Sequence, residues 1–264
     1  MEKEDKRFAL LIDGENVSAK YIKGILEELS NEGVITYKRI YGDWTSANMQ
    51  GWKDVLLENS VTPIQQYSYT TGKNATDSAM IIDAMDILYA GNVEGFCLAS
   101  SDSDFTRLAS RLREAGKIVV GMGERKTPSP FIAACNKFKY LEVLQNPEPE
   151  ASECSERKEV MENDSAAGGQ NTARTSLREI RRAVRTIIDD SSEDDDQWVP
   201  LSIVGDTLIK RFPEFDVRNY GHRKLTFVKA LDAFEVREVP SPIDRNTKKI
   251  YVRTRPGNRN RRGK

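Results

Sequence analysis

The chain has 264 residues, of which 38% are hydrophobic and 31% charged, with 40 basic and 41 acidic side chains. That length exceeds one ordinary domain and can hold two cores, while the charge density and the lack of an apolar run long enough to span a bilayer argue against a membrane protein. The charged start, Met1 to Arg7, is followed only by the short apolar run Phe8 to Ile12, so no secretory signal is read and cytoplasm is the expected compartment.

Residues 8–144 alternate between strand and helix patterns. Phe8 to Ile12 is a short buried-strand run that ends at Asp13-Gly14. Ser18 to Ser30 places Tyr21, Ile22, Ile25, Leu26 and Leu29 on one helical face, with Gly33 as its expected stop. Val34 to Tyr41 alternates like a strand, a helix is expected near Gly51 to Glu58, and Thr62 to Tyr69 is rich in β-formers despite Pro63. The loop Thr70 to Asn74 leads into a helix from about Ala75 to Tyr89. Then come a strand over Gly95 to Ser100, a helix over Phe105 to Ala115 closed by Gly116, and a strand over Ile118 to Met122. A Pro-flanked segment, Pro128 to Pro130, and a last strand near Tyr140 to Leu144 complete an α/β unit. Such alternation predicts a mostly parallel sheet covered on both faces, with ligands bound beyond the carboxyl ends of its strands.

Residues 147–172 are poor in large apolar side chains and read as a flexible acidic linker. Beyond it, Leu177, Ile180, Val184 and Ile187 repeat at helical spacing, an acidic loop runs from Ser191 to Asp196, and Leu201 to Phe212 forms a second amphipathic helix. A third helix is expected from about Arg223 to Ala233, and Phe234 to Val239 can pair with Ile250 to Arg253 as a hairpin. Three helices and a hairpin predict a small winged-helix-like domain over residues 173–255, followed by a basic, disordered tail at 256–264.

Charge is divided unevenly along the chain. Residues 1–146 carry 17 basic against 20 acidic side chains, 147–170 carry 2 against 7, and 171–264 carry 21 against 14. The C-terminal part is therefore the expected anion binder. Cys97, Cys135 and Cys154 are odd in number and lack paired metal-ligand spacing, so they indicate neither a disulfide framework nor a zinc knuckle.

Four acids fall where the predicted topology brings side chains together. Asp13 follows the first strand, Asp77 lies in the first turn of its helix, and Asp102 and Asp104 follow a later strand. Carboxylates gathered this closely repel unless a hard cation lies between them, and Mg²⁺ or Mn²⁺ takes such oxygens at about 2.0–2.1 Å. Asn16, one turn beyond Asp13, can hold its carboxylate or a metal-bound water. Each acid also has an ordinary alternative. Asp13 suits a turn, and Asp77 suits the positive end of a helix. Asp83 and Asp86 lie roughly 120° and 180° around that helix from Asp77, which favours a solvated face for Asp86. Ser100-Ser101-Asp102-Ser103-Asp104 holds more acids and hydroxyls than one helix cap needs. His222 is the single histidine in the sequence, which excludes a paired-histidine ribonuclease within one chain, and no Gly-rich phosphate loop ending in Gly-Lys-Ser/Thr is present.

The motifs Leu-Ile-Asp-Gly-Glu-Asn (11–16), Gly-Lys-Asn-Ala-Thr-Asp (72–77), Ser-Ser-Asp-Ser-Asp-Phe (100–105) and Leu-Arg-Glu-Ala-Gly-Lys (112–117) together resemble the NYN family, the LabA-like branch of the PIN-like nucleases. The resemblance covers roughly residues 7–145 and sets the nuclease-like domain at 1–146. It implies a PIN-like three-layer sandwich around a mostly parallel sheet, and one or two Mg²⁺ or Mn²⁺ ions held by Asp13, Asp77, Asp102 and Asp104. Asn16 joins these as a catalytic-site residue, with Ser100, Ser101 and Asp83 supporting. Gln197 to Leu201, Val204-Gly205, Phe212 to Asp216 and Arg218 to Gly221 resemble the OST-HTH, or LOTUS, domain, a winged-helix-like module that binds RNA or protein. Trp198, Phe212, Phe215, Tyr220, Leu225 and Phe227 read as core rather than base-stacking residues. Lys73, Arg218, Arg223, Lys224, Arg245, Lys248 and Lys249 are the expected RNA contacts.

The combination predicts a metal-dependent ribonuclease with RNA as substrate and a protein partner as a further option for the C-terminal module. Two rivals stand beside it. One is a non-catalytic RNA-binding regulator. The other is a Toprim-type nuclease or primase using Glu15 with Asp102 and Asp104, which does not require Asp77.

Overall fold

The structure is a computed structural model that describes residues 5–67, 75–145, 175–191, 198–231, 233–240 and 248–255. The chain divides into two compact units, Met1–Ala173 and Arg174–Lys264. No helix among the described residues is long and apolar enough to cross a membrane.

The first unit is a six-stranded parallel sheet with helices on both faces. In chain order it runs β1 (Arg7–Asp13), α1 (Ile22–Ser30), β2 (Val34–Gly42), α2 (Gln50–Asn59), β3 (Thr62–Gln65), α3 (Ala75–Ala90), β4 (Gly95–Ala99), α4 (Thr106–Glu114), β5 (Ile118–Gly123), α5 (Ser129–Ala134), β6 (Lys137–Tyr140) and α6 (Leu141–Gln145). The strand order is β3-β2-β1-β4-β5-β6. The chain thus starts in the middle of the sheet, builds outward to β3, and returns through α3 to begin β4 on the other side of β1. That reversal creates a crevice beyond the carboxyl ends of β1 and β4, the usual ligand position in open parallel sheets.

Strand alternation assigns the two cores. Phe8, Leu10 and Ile12 of β1 pack with Ile22, Ile25, Trp52 and Leu141, whereas Ala9 and Leu11 pack with Met80, Ala84, Leu108 and Phe131. The two-residue period carries Asp13 to the same side as Ala9 and Leu11, the side of α3 and α4. Both faces of β1 and β4 are buried, which explains their unbroken apolar runs.

Several expectations are corrected. Gly33 is not the stop of α1, which ends at Ser30; a Cβ on Gly33 would lie 2.1 Å from the Lys6 carbonyl oxygen, so its smallness serves the approach of β2 to β1. The last strand lies earlier than expected, at Lys137–Tyr140, because Phe138 and Tyr140 alternate inward; Leu141 and Leu144 instead face the other core from a helix. Pro130 sits at the start of the unforeseen α5, where its missing N–H is harmless. β3 is an edge strand of four residues, which tolerates Pro63. The predicted loop at 70–74 lies outside the described residues.

The second unit contains α7 (Leu177–Ser191), β7 (Val199–Pro200), α8 (Leu201–Arg211), β8 (Phe234–Pro240) and β9 (Lys248–Thr254). Ser176 and Glu179 open α7 with a reciprocal cap: the Glu179 N–H donates to Ser176 Oγ at 3.2 Å and the Ser176 N–H donates to Glu179 Oε2 at 3.0 Å. The hairpin forms as expected, with β7 added on the far side of β9. The third helix is a correction. It is a 3₁₀ helix over Leu225–Leu231, preceded by another over Val217–Tyr220 that ends at Gly221 with φ +76°. Leu225, Val228 and Leu231 repeat every three residues toward the core, the spacing that a three-residue turn aligns. Phe215 and Phe227 are buried, and Tyr220 stacks on Phe227 at 6.1 Å, so these aromatics form core as the sequence suggested. Trp198, Phe212 and Leu225 are partly buried. The linker, the acidic loop beyond Ser191 and the basic tail lie outside the described residues.

Candidate metal centre

Asp13 ends β1 with a carboxylate only 1% exposed and hydrogen-bonded on both oxygens. Ser100 Oγ and Asn16 Nδ2 each donate to Oδ2 at 2.7 Å, and the backbone N–H groups of Glu15 and Asn16 donate to Oδ1 at 3.2 Å. Burial raises its pKa, and the donors from Ser100, Asn16 and Glu15 oppose that rise. Ser100 is itself fully buried after β4 and accepts the Asp102 N–H at 3.0 Å, so one hydroxyl links the ends of β1 and β4 to the second acidic motif.

Asp77, Asp102 and Asp104 form a group in which one oxygen from each lies within 4.8 Å of the others. Asp77 comes from the first turn of α3, while Asp102 caps the short turn before α4 by accepting the Asp104 N–H at 2.9 Å. The Asp77 carboxyl is pushed up to about 6, first by burial and then by the charges of Asp13, Asp102, Asp104 and Glu15. All four predicted acids therefore meet electrostatically, although Asp13 does not belong to the three-oxygen group. Hard carboxylate oxygens suit Mg²⁺ or Mn²⁺, and opposite ligands of an octahedral ion lie about 4.2 Å apart at the usual bond length. Three carboxylates with one oxygen from each this close together supply the hard donors that such a cation takes, so the residues present fit it.

Glu15 was expected only under the Toprim alternative. It accepts from the buried Thr76 hydroxyl and from the Asp43 N–H, both at 3.3 Å, and adds to the negative field at Asp77. The signal for it is its place in the turn directly after β1, two residues from Asp13, whose carboxylate accepts its N–H. Asp77, rather than Glu15, joins Asp102 and Asp104, in favour of the PIN-like arrangement over the Toprim one.

Other expected residues have different partners. Asp83 bonds Arg39 and the Tyr41 hydroxyl of β2, so it fastens α3 to the sheet instead of supporting the acids. Burial and the Asp83 contact raise the Tyr41 pKa. Ser101 Oγ accepts the Glu124 N–H at 2.8 Å and joins the end of β4 to the loop after β5. Asp86 is exposed, as the helical wheel suggested. In the second unit Arg218 forms a two-point contact with Asp216, at 3.0 Å through Nε and 2.7 Å through Nη2. Arg223 and Lys224 are exposed, Lys248 pairs with Glu238 at 3.1 Å, and Lys249 is exposed. Lys73 and Arg245 lie outside the described residues.

A buried acid at the end of β1, with three more at the starts of α3 and α4, is the arrangement of a PIN-like fold, and comparison with known families agrees. The NYN domain family model matches residues 7–142, more than half of the chain, and the chain belongs to that family of PIN-like nucleases. The OST-HTH/LOTUS domain model matches residues 172–245, and domains of that family bind RNA. An uncharacterized protein of Methanocaldococcus jannaschii is 29% identical over 125 residues, which are 46% of this chain and 49% of the relative. The chain thus spans about half the length of that curated relative. A crystal structure of a protein of unknown function from Vibrio parahaemolyticus aligns at 18% identity and a TM-score of 0.44, over 52% of this chain and 94% of the other.

Proposed function

We propose that the protein is a metal-dependent ribonuclease whose first unit hydrolyses RNA phosphodiester bonds and whose second unit holds the RNA. The observation that carries this reading is the group of Asp77, Asp102 and Asp104 beside the buried Asp13, at the ligand-binding edge of an NYN sheet. Asp77, Asp102 and Asp104 would hold Mg²⁺ or Mn²⁺, with Asp13 completing the negative field from its fixed position. A divalent cation supplies Lewis-acid chemistry for attack on phosphorus. Below about pH 6 the Asp77 carboxyl is largely protonated in the cation-free protein, and loading the site there would release that proton. Ser100 and Asn16 keep the Asp13 carboxylate oriented.

The test is incubation of labelled single-stranded and structured RNAs with the purified protein and Mn²⁺, with and without chelator. Asp102→Asn should lower the single-turnover cleavage rate by at least about 100-fold while RNA binding persists. Absence of metal-dependent cleavage by the wild-type protein would make a non-catalytic RNA-binding regulator the better account.

A further inference from the structure

The start of α8 leaves a notch beside β9. β7 pairs only Val199 with Val252 and Pro200 with Tyr251 before the chain turns into α8 at Leu201. Among the described residues, Lys248 to Ile250 of β9 therefore have β8 on one side and no strand on the other. The notch is a hollow of about 540 Å³ lined by Ile203, Leu225 and Tyr251, with Lys248 and Lys249 also on its wall. That is within the range of about 300–1,000 Å³ for small-ligand pockets. Ile203 is 44% exposed, an apolar surface available for contact. The N-cap of α8 is Pro200, which makes no side-chain capping bond, so the helix also brings its positive end to this notch.

A second hollow of about 370 Å³ is lined by His222, Arg223, Lys224 and Lys229. Glu238 connects the two, pairing with Lys248 at 3.1 Å and with Lys229 at 3.6 Å. Leu225 of the first hollow directly follows Lys224 of the second. The two are thus neighbours on one surface, one mostly apolar and the other bordered by Arg223, Lys224 and Lys229.

We propose that these hollows form one track for a single RNA strand. An unpaired base enters the apolar hollow against Ile203, Leu225 and Tyr251, while the phosphates beside it pass Lys249 and continue toward Arg223 and Lys224. Charge selects nucleic acid over a neutral peptide: cations line both hollows, and residues 171–264 carry 21 basic against 14 acidic side chains. Base contact with an apolar face is tolerant of sequence, whereas phosphate contact contributes a salt-dependent share of affinity. This inference rests on the second unit being the RNA-holding part and adds a base-accepting position to it.

The experiment uses the full chain and two fluorescent oligoribonucleotides of equal length, one of uridines and one abasic, titrated at several salt concentrations. The wild-type protein should bind the uridine strand about fivefold or more tightly than the abasic one. Ile203→Ser, with an unchanged circular dichroism spectrum, should remove most of that preference and leave abasic binding unaltered. Lys249→Gln should weaken both strands and lower the log–log salt slope by about 0.7. Equal affinity of wild type and Ile203→Ser for the uridine strand would overturn the base-accepting hollow, even where RNA binding and cleavage stand. Protection of Ile203 and Tyr251 by a peptide ligand but not by RNA would also overturn it and mark the notch as a protein-docking site.

Discussion

In the first unit acids are drawn together from three places in the chain, and burial, with the neighbouring acids behind it, raises the pKa of Asp77; in the second, bases are spread over a surface and several have an acid of their own. The acids are held by backbone. Asp13 closes a buried strand, Asp77 opens a helix and Asp102 caps a turn, so the fold fixes their spacing before any ligand arrives. Arg223, Lys224 and Lys249 lie at exposed positions where each contributes modestly and salt weakens the contribution. Crowded charge held against repulsion points to chemistry, while distributed charge points to holding a polyanion.

The largest expected stability difference lies between the two kinds of site. Asp13→Ala leaves the fully buried Ser100 hydroxyl and two backbone N–H groups without their acceptor, and should destabilise the protein by roughly 1–3 kcal/mol. Arg223→Ala, at an exposed position, should stay within about 0.5 kcal/mol. Urea unfolding followed by circular dichroism measures both, and equal costs would break the contrast.

A smaller effect follows from pH. The Asp77 carboxyl titrates near 6 in the folded, cation-free protein and near the ordinary value of about 3.9 when unfolded. Its folded pKa is raised, so its stabilising contribution is full below the unfolded value and is lost as pH rises through about 6. Mn²⁺ competes with that proton. The Mn²⁺-induced rise in melting temperature should therefore be small at about pH 5 and near its maximum by about pH 7.5. A rise independent of pH would separate Asp77 from metal binding.

The smallest expected effect belongs to single surface bases. Lys224→Gln should lower RNA affinity a few-fold and reduce the salt slope by about 0.7, with melting temperature unchanged. An unaltered slope would remove Lys224 from the RNA contacts.

What the sequence disclosed follows the same division. The unbroken apolar runs at Phe8 to Ile12 and before Ser100 disclosed the strands, and the strand ends then placed Asp13, Asp102 and Asp104 at one edge. Local pattern could not disclose partners far along the chain. Asp83 matched a family position, yet its partners are Arg39 and Tyr41, 44 and 42 residues away. Arg218 looked like a phosphate contact because the preference for Asp216, two residues earlier, depends on the 3₁₀ turn that joins them. The 3₁₀ helix at Leu225–Leu231 escaped notice because Phe227 blurs the three-residue repeat into an α-like one.

The central claim is that converging acids hold a divalent cation. Calorimetric titration of Mn²⁺ into metal-free wild-type protein and Asp77→Asn at about pH 7.5 tests it most directly. The account predicts saturable binding by the wild type and at least tenfold weaker binding by the variant, a difference of about 1.4 kcal/mol or more. Equal affinities, or no saturable binding by the wild-type protein, would contradict it.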